Sequence, residues 1–392
     1  MLNCTHRLGV MRMKIDVIAA ANMGALAEKL ETRVPHFVSV HLNCELDQTA
    51  LPNVAALHGA TSCLGAMSHE GIHEGLAAFV IEDADGDYGT ATLEYGDDPK
   101  AAAQSAVREA LNRADRPGET PDLIWLSSTP GVEEQVIDGI QSIVGDDVPI
   151  IGGSAADNSV EGNWFVFNEE TRTQNGLTIS VLFPSKPISF AYQNGYSPTT
   201  NEGVVTAANG RTIQAIDNRP AMEVFAEWTG GAVKGADAGG DPKAILSDST
   251  LWPLGREVTK LSGVPFYLLA HPAVAQAGGE IDLFATVEVG EKLTSMAGTI
   301  DSLTDRAGRV AELACKLTPS SDRPVAGALM IYCGGCMLSV REELDRVVTG
   351  VNAALGNAPF LGAFTFGEQG PLVGAGNRHG NLMISCVVFE GD

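Results

Sequence analysis

The clearest chemical pattern in the sequence is a pair of cysteines three residues apart, in the stretch IYCGGCM. Cys333 and Cys336 lie at the end of a predicted buried strand and just before a predicted helix. A C-x-x-C pair at the start of a helix can hold a thiol with a lowered pKa and carry out redox chemistry. The simpler interpretation is that the cysteines, with Gly334 and Gly335, are small residues that close a strand-to-helix turn.

The corresponding turn earlier in the chain, SSTPGVEE, contains no cysteine, which favours the structural interpretation over redox or metal chemistry. In that turn Thr129 can cap the following helix, and Pro130 fits the first turn of that helix. A zinc site would need a second pair of ligands, and His379 is the one plausible candidate nearby. Both turns nevertheless present backbone N–H groups at a helix N-terminus, which can bind a carboxylate or another anion.

Three strands are interrupted by glycine-containing corners, in ALHGATSCLG, PIIGGSAADN and PFLGAFTFGEQGP. Glycine in a strand usually marks a bulge, a corner or the close approach of another group. In the third corner, Gly362 and Gly367 allow the strand to bend, and Glu368 is expected to point into the space so formed. A buried carboxylate is costly unless it is partnered, and Arg378, His379 or the amine of a ligand would each serve.

These features predict a ligand site between the CGGC turn, the FGEQG corner and the NRHGN turn, because ligands favour the carboxyl ends of strands. The candidate ligand-binding residues are Cys333, Gly334, Gly335, Cys336, Gly362, Gly367, Glu368, Arg378, His379 and Asn381. The secondary candidates in the first half are Ser128, Thr129, Ser154 and Asp157, although turn formation explains the last two more simply. No residue is assigned a catalytic or metal-binding role.

The elements that must position these residues occur in the same order twice. Each half reads as paired strands, a helix, a buried strand, a second helix and a glycine corner. Strands that are apolar on both faces need cover on both sides. We therefore predict an α/β fold with two related sheet-rich halves, residues 30–218 and 219–392, whose packed sheets are covered by outer helices in an α-β-β-α arrangement. Segments 122–154 and 325–362 should superimpose about an approximate twofold axis.

Composition excludes several classes of partner. The 392 residues include 25 Lys and Arg against 49 Asp and Glu, and the net charge of −24 argues against nucleic acid and anionic membranes. The longest uncharged apolar stretch is too short and too glycine-rich for membrane insertion. No signal peptide is visible, and seven scattered cysteines are typical of reduced thiols in the cytoplasm. Because Met11 and Met13 follow closely, the first ten residues are expected to form an ill-ordered extension.

Several of these stretches resemble the FIST (F-box and intracellular signal transduction) family of sensory domains. PIIGGSAADN and NGLTISVLF resemble its N-terminal half, and TAANGRTIQAIDNRPAMEVF is similar to the junction between its halves. YCGGCM, PFLGAFTFGEQGP and RHGNLMISCVVF are similar to its C-terminal half, and together the matches extend from about residue 36 to the C-terminus. The chain departs from the family at Cys336, where the family often has an arginine.

The resemblance implies a protein that binds small ligands, with amino acids suggested, and signals through kinase, cyclase or methyl-accepting modules. It also implies that haem is a possible cofactor, because some members bind haem and respond to nitric oxide. Our leading hypothesis is a stand-alone cytoplasmic sensor, rather than an enzyme, that binds an amino acid or small carboxylate and acts through a protein partner such as a kinase or cyclase. The alternatives are a haem-binding nitric-oxide sensor with His379 as the haem ligand, and a thiol redox enzyme that uses the CGGC motif.

Overall fold

The computed structural model describes residues 13–46, 51–236, 240–318 and 323–392, and these form a mixed α/β protein with four β-sheets. The predicted α/β class is confirmed. The expectation about the first ten residues falls outside the described ranges. No helix in those ranges is long and apolar enough to cross a membrane.

The chain begins with a unit of strands and one helix that we term the first copy. Its elements are β1 (Lys14–Ala20), α1 (Met23–Leu30), β2 (Phe37–Leu42), β3 (Leu57–Thr61), β4 (Ala66–Ser68), β5 (Gly71–His73) and β6 (Leu76–Glu82). The second copy repeats this order and adds a helix between its parallel strands. Its elements are β7 (Asp87–Glu94), α2 (Pro99–Arg113), β8 (Leu123–Ser128), α3 (Glu133–Val144), β9 (Ile150–Ser154), β10 (Val166–Phe167), β11 (Arg172–Thr173) and β12 (Gly176–Phe183).

A third copy opens with β13 (Ile188–Asn194) and is then interrupted by an inserted segment. The inserted segment contains β14 (Ser197–Asn209), β15 (Thr212–Ile216), β16 (Arg219–Pro220), α4 (Ala221–Trp228), β17 (Lys243–Ala244), α5 (Leu246–Ser249), β18 (Leu254–Leu261), β19 (Val264–Ala270), β20 (Pro272–Ala275), β21 (Ile281–Leu283) and β22 (Lys292–Ala297). These nine strands form a sheet with a hydrophobic core of its own.

The third copy resumes after the inserted segment and runs almost to the C-terminus. Its elements are α6 (Ile300–Lys316), β23 (Val325–Cys333), α7 (Gly334–Ser339), a 3-10 turn (Arg341–Glu343), α8 (Leu344–Leu355), β24 (Phe360–Thr365), β25 (Glu368–Leu372), β26 (Gly376–Gly380) and β27 (Met383–Glu390). The helix ends follow local chemistry, because Thr299 and Ser302 form a capping box on α6, and α8 ends at the left-handed Gly356.

Each copy builds one six-stranded sheet around a pair of parallel strands, and each sheet is completed by a hairpin from another copy. The strand orders are β1-β6-β2-β3-β10-β11, β7-β12-β8-β9-β25-β26 and β13-β27-β23-β24-β4-β5. The hairpins are therefore exchanged in a cycle, which is the arrangement of an approximate threefold axis. The prediction of a twofold axis is wrong, because three copies rather than two exchange their hairpins. The sequence did not indicate the first copy as a repeat because the described part of residues 43–56 contains no helix between β2 and β3.

The element order that was predicted to repeat is present in both expected places. Residues 122–154 contain β8, α3 and β9, and residues 325–362 contain β23, α8 and the start of β24. The paired strands predicted at residues 280–296, however, belong to the inserted segment, where β21 and β22 are separated in the sheet by β15 and β14.

The three glycine corners meet at the centre of the molecule, where backbone groups join the copies in a closed ring. Each corner donates one N–H group to a carbonyl oxygen of the next: Cys63 to Phe364 at 3.0 Å, Phe366 to Ser154 at 3.0 Å, and Ala156 to Thr61 at 3.1 Å. The inner faces of the three sheets share one apolar core that includes Phe79, Trp125 and Phe389. Helices cover the outer faces, with α2 and α3 on the second sheet and α6 and α8 on the third.

Candidate functional site

A narrow cavity of about 50 Å³ lies beside the ring of corners, between the third copy and the inserted segment. The end of β23, the corner after β24 and the turn between β26 and β27 meet here. Its walls include Cys63, His271, Cys333, Thr365, Phe366 and Asn381. The structure thus brings together parts of the CGGC turn, the third glycine corner and the NRHGN turn.

Asn381 supplies the cavity with an unused hydrogen-bond donor. Its Oδ1 accepts a hydrogen bond from the backbone N–H of His271 at 3.1 Å, which fixes the orientation of the amide. Its Nδ2 makes no hydrogen bond in the described structure, although the residue is only 2% exposed. An unpaired buried amide is costly, so a ligand that accepts this hydrogen bond would relieve the cost.

His271 supplies the complementary acceptor. Its Nε2 lies 3.0 Å from the backbone carbonyl oxygen of Leu246, and because a carbonyl oxygen only accepts, Nε2 carries the proton. Burial lowers the pKa of His271 to about 4, so the ring is neutral near pH 7 and Nδ1 keeps its lone pair. A Cβ atom on Gly335 would lie 3.9 Å from this Nδ1 and 3.7 Å from Cys333 Sγ, so the ring nitrogen and the thiol face the same space.

Behind the Cys333 wall lies a buried cluster of Cys336, Tyr196, Tyr332 and Arg306. The guanidinium of Arg306 lies 5.7 Å from the centre of the Tyr196 ring and 5.6 Å from that of Tyr332. Tyr196 Oη is 3.4 Å from Cys336 Sγ. Burial alone would raise the pKa of Cys336, but the hydrogen bond from Cys333, the charge of Arg306 and the Tyr196 contact lower it to about 7. The positive charge beside Cys336 is therefore supplied by Arg306 of α6.

Glu368 is fully buried beside this cluster and does not line the cavity. Its Oε1 accepts a hydrogen bond from Thr365 Oγ1 at 3.0 Å, and its Oε2 accepts one from the Met383 backbone N–H at 2.9 Å. Burial, together with the nearby Cys336 charge, raises the pKa of Glu368 well above its usual range, although the hydrogen bonds and Arg306 act in the opposite direction. Glu368 thus joins β25 to β27 and holds Thr365 in the cavity wall.

The raised pKa of Glu368 predicts a specific pH dependence of stability. Above pH 4.5, the ordinary pKa of the carboxyl group, the folded protein binds more protons at this site than the unfolded chain. The contribution of Glu368 to stability is therefore fully present below that pH and is lost as the pH rises through the folded pKa. Glu368→Gln keeps the shape without the titration, so we expect the free energy of unfolding of the variant to decline less with rising pH than that of the wild type.

Urea unfolding of the two proteins at several values between about pH 5 and pH 8 measures this difference, and the other carboxylates cancel in the comparison. If the free energy of unfolding changed with pH by the same amount in the wild type and in Glu368→Gln, Glu368 would have no raised pKa in the folded state.

Comparison with known proteins assigns most of the chain to a family. Residues 37–219 match the FIST N domain, and residues 221–371 match the FIST C domain. The chain belongs to the FIST family. FIST domains are sensory ligand-binding domains of signal transduction.

Individual relatives add little to the family match. An uncharacterized protein of Methanocaldococcus jannaschii is 29% identical over 86 residues, which are 21% of this chain and 17% of the relative. A cyanuric acid hydrolase from A. caulinodans aligns with 96% of this chain and 99% of its own at 11% identity, with a TM-score of 0.36. PurLQS from Thermotoga maritima aligns with 78% of this chain and 73% of its own at 8% identity, with a TM-score of 0.23.

The remaining residues predicted near this FIST site are distributed around it. Arg378 is exposed, and its Nη1 donates a hydrogen bond to the Asn377 carbonyl oxygen at 2.8 Å. His379 is buried, with Nδ1 3.2 Å from Gln369 Nε2 and Nε2 3.2 Å from the Phe284 carbonyl oxygen. A Cβ atom on Gly367 would lie 2.5 Å from His379 Cε1, and one on Gly362 would lie 2.5 Å from Met67 Cε. Both glycines therefore allow close packing beside the site.

Haem, which the family resemblance implied as a possible cofactor, does not fit this arrangement. His379, the expected axial ligand, uses both ring nitrogens in hydrogen bonds within the protein. The cavity of about 50 Å³ is also far smaller than a haem group. The residues at this site therefore do not form a haem pocket.

The secondary candidates serve local structure in the second copy. Thr129 Oγ1 accepts a hydrogen bond from the Gly176 N–H at 3.0 Å, and Ser154 Oγ donates one to Glu133 Oε1 at 2.8 Å. Ser128 is buried and its hydroxyl makes no hydrogen bond in the described structure. The carboxylate of Asp157 accepts hydrogen bonds from four backbone N–H groups in the turn that follows it, those of Ser159, Val160, Glu161 and Asn163.

Sequence reasoning missed His271, Cys63 and Arg306. Cys63 belongs to the first glycine corner, GATSCLG, so a threefold interpretation of the corners would have placed it at the centre. His271 comes from the inserted segment, and Arg306 is one of several charged residues on α6. The spacing of these three residues along the sequence did not indicate a shared site, because each reaches the site only through the packing of distant segments.

Proposed function

We propose that this FIST protein is a sensor whose small ligand occupies the cavity at Cys333 and Asn381. The observation that carries the proposal is that Asn381 lines the cavity and that its buried Nδ2 has no hydrogen-bond partner among the described residues. His271 Nδ1 offers a lone pair, and Phe366 offers an apolar ring face. A ligand that accepts one hydrogen bond and donates another would satisfy both polar groups.

The lining favours an uncharged ligand over the amino acid or small carboxylate that the sequence suggested. The described residues that line the cavity include no Lys, Arg, Asp or Glu side chain, and His271 is neutral near pH 7. A carboxylate bound here would lose its hydration without gaining a cation, and that loss is costly. We therefore propose a very small neutral ligand of the amide type, which presents an acceptor to Asn381 and a donor to His271 within the space of about 50 Å³.

A larger and more open cleft of about 510 Å³ lies on the other side of Asn158 and is the alternative position for a ligand. Four carboxylates and one guanidinium line it: Glu45, Glu74, Glu342, Asp345 and Arg341. This cleft would favour a cationic ligand. We prefer the smaller cavity because it contains the unpaired buried amide.

We further propose that the protein acts in the cytoplasm and transmits the ligand signal to a protein partner such as a kinase or cyclase. The signalling role of the FIST family supports a protein partner. The six cysteines in the described ranges are free thiols, which suits a reducing compartment. The division of the chain near residues 218 and 219 is likewise a proposal, and the family matches on either side of it are in agreement.

The ligand test is a thermal-shift screen of neutral amides and heterocycles, small carboxylates, amino acids and amines, followed by calorimetry of any compound that binds. Asn381→Asp keeps the oxygen that accepts from the His271 N–H but removes the free donor. We expect a Kd weaker by about 5- to 150-fold for this variant, since an unpaired buried polar group costs about 1–3 kcal/mol. Arg378→Ala is the matched control on the neighbouring strand and should bind as the wild type does.

Equal Kd values for wild type and Asn381→Asp would contradict the proposed site. A screen in which amines bind and neutral compounds do not would instead assign the ligand to the open acidic cleft.

A further inference from the structure

The buried guanidinium of Arg306 requires a negative partner. Arg306 is only 2% exposed, and its Nη1 donates a hydrogen bond to the Leu382 carbonyl oxygen at 2.8 Å. Its Nε and Nη2 make no hydrogen bond in the described structure. A buried charge is tolerated when an opposite charge compensates it. Cys336 is the first of the groups that favour the charged form of Arg306, ahead of Tyr196 and Tyr332.

Cys336 and Cys333 form a pair that can supply this negative charge. The Cys333 thiol hydrogen-bonds to Cys336, while burial and the neighbouring sulfur raise the pKa of Cys333 well above its usual range. With the pKa of Cys336 near 7, this thiol is about half ionised at neutral pH, and the ionised form lies next to the protonated Cys333. A thiolate next to a thiol is the form in which a C-x-x-C pair undergoes oxidation.

The geometry also gives a small oxidant access to the pair. Cys333 lines the cavity, whereas Cys336 lies behind it and is fully buried. A space of about 50 Å³ accommodates a few water-sized molecules, and hydrogen peroxide is of this size. Cys333 is the N-cap residue of α7 and Cys336 is the third residue of that helix, so the two side chains are neighbours on one helical turn and can reach each other for a disulfide by side-chain rotation.

We propose that Cys333 and Cys336 are a reversible oxidation site, at which a hydroperoxide entering the cavity converts the two thiols into an intrachain disulfide. Cys333 passes its proton to Cys336, and its sulfur then attacks one peroxide oxygen. The O–O bond breaks, and the departing hydroxide takes the proton from the Cys336 thiol and leaves as water. The Cys336 thiolate then attacks the sulfur of the Cys333 sulfenic acid, an S–S bond forms, and the S–O bond breaks to release hydroxide, which takes a proton from solvent and becomes a second water. One thiol, one thiolate, one proton and one hydrogen peroxide thus give one disulfide and two waters.

Oxidation would move negative charge from Cys336 to Glu368. A disulfide carries no charge, so Arg306 loses its thiolate partner. Glu368 experiences both the repulsion of the Cys336 charge and the attraction of Arg306, so loss of the first favours ionisation of its carboxyl group. Tyr192 also faces Glu368, and its hydroxyl donates to the Glu368 backbone carbonyl oxygen at 2.9 Å. Because Glu368 Oε1 holds the Thr365 hydroxyl in the cavity wall, the oxidation state of the thiols is linked to the cavity.

The test uses the full chain, which is treated with stoichiometric hydrogen peroxide and analysed by peptide mass spectrometry. We expect the peptide that contains both cysteines to lose about 2 Da and to regain it with dithiothreitol. Cys333→Ala removes the disulfide but keeps Cys336 as the partner of Arg306, so this variant should stay folded by circular dichroism and show no such loss. Cys386→Ser, at a buried thiol in β27, is the matched control and should form the disulfide as the wild type does.

Three outcomes would overturn the proposal: a cross-link between Cys333 and Cys63, oxidation of Cys333 to its sulfonic acid without a disulfide, and modification confined to the partly exposed Cys44 and Cys315. None of these outcomes depends on the identity of the ligand, so failure here leaves the proposed sensory function open.

Discussion

Alanine in place of Gly152 is expected to lower the free energy of unfolding by about 3 kcal/mol or more, at the upper end of overpacking effects. A Cβ atom at this position would lie 1.8 Å from the Leu126 carbonyl oxygen and 2.7 Å from its carbonyl carbon. These atoms belong to β8, which pairs in parallel with β9. Since the backbone of a central strand has no free space to move into, the added methyl group would disrupt the pairing itself.

Gly362 is the matched control because it lies in the corresponding corner of the third copy. A Cβ atom there would lie 2.5 and 2.7 Å from side-chain atoms of Met67 rather than from backbone. Methionine is flexible and can move aside, so we expect Gly362→Ala to cost about 1 kcal/mol. Urea unfolding of both variants measures the difference. Equal losses would mean that the close approach of β8 and β9 does not require glycine.

The glycine corners are the part of the site that the sequence predicted best. Glycine within apolar runs indicated close approaches, and in the structure both Gly152 and Gly362 have neighbours that a Cβ atom would displace. The same runs also occur three times in the sequence, but the described part of the first copy has no helix between its parallel strands, and this difference hid the third repeat. The hairpin exchange could not be predicted, because any of the hairpins can pair with the free edge of any corner strand.

The partners of Glu368 show a different limit of sequence reasoning. Arg378 and His379 were both considered as partners, but they are neighbours on β26, and side chains alternate between the two faces of a strand. The two side chains could not both point into the core, and in the structure Arg378 is exposed whereas His379 is buried. The observed partners are the Thr365 hydroxyl and a backbone N–H. A backbone donor carries no signature in the sequence, so this contact had to be observed.

Arg306→Met is expected to lower the free energy of unfolding by about 3–5 kcal/mol, the range for breaking a buried charge pair. The variant keeps the length and most of the apolar contact of the side chain. It loses the hydrogen bond to the Leu382 carbonyl oxygen, the cation–π contacts with Tyr196 and Tyr332, and the charge beside Cys336. Leu382 has a positive φ of 57° in the turn between β26 and β27, so this turn loses the donor that stabilises it.

Two further variants separate charge from packing at this position. Arg306→Lys keeps a cation but loses the planar guanidinium group. We therefore expect its free energy of unfolding to lie between those of the wild type and Arg306→Met. In a double-mutant cycle of Arg306→Met with Cys336→Ser, a charge pair predicts that the two losses add to more than the loss of the double variant, with a coupling of about 1 kcal/mol or more. Because the Arg306 charge lowers the pKa of Cys336, the thiol pKa should also rise above about 7 in Arg306→Met, as measured by the thiolate absorbance. Simple additivity together with an unchanged thiol pKa would show that Cys336 is not the anion that holds Arg306 in the core.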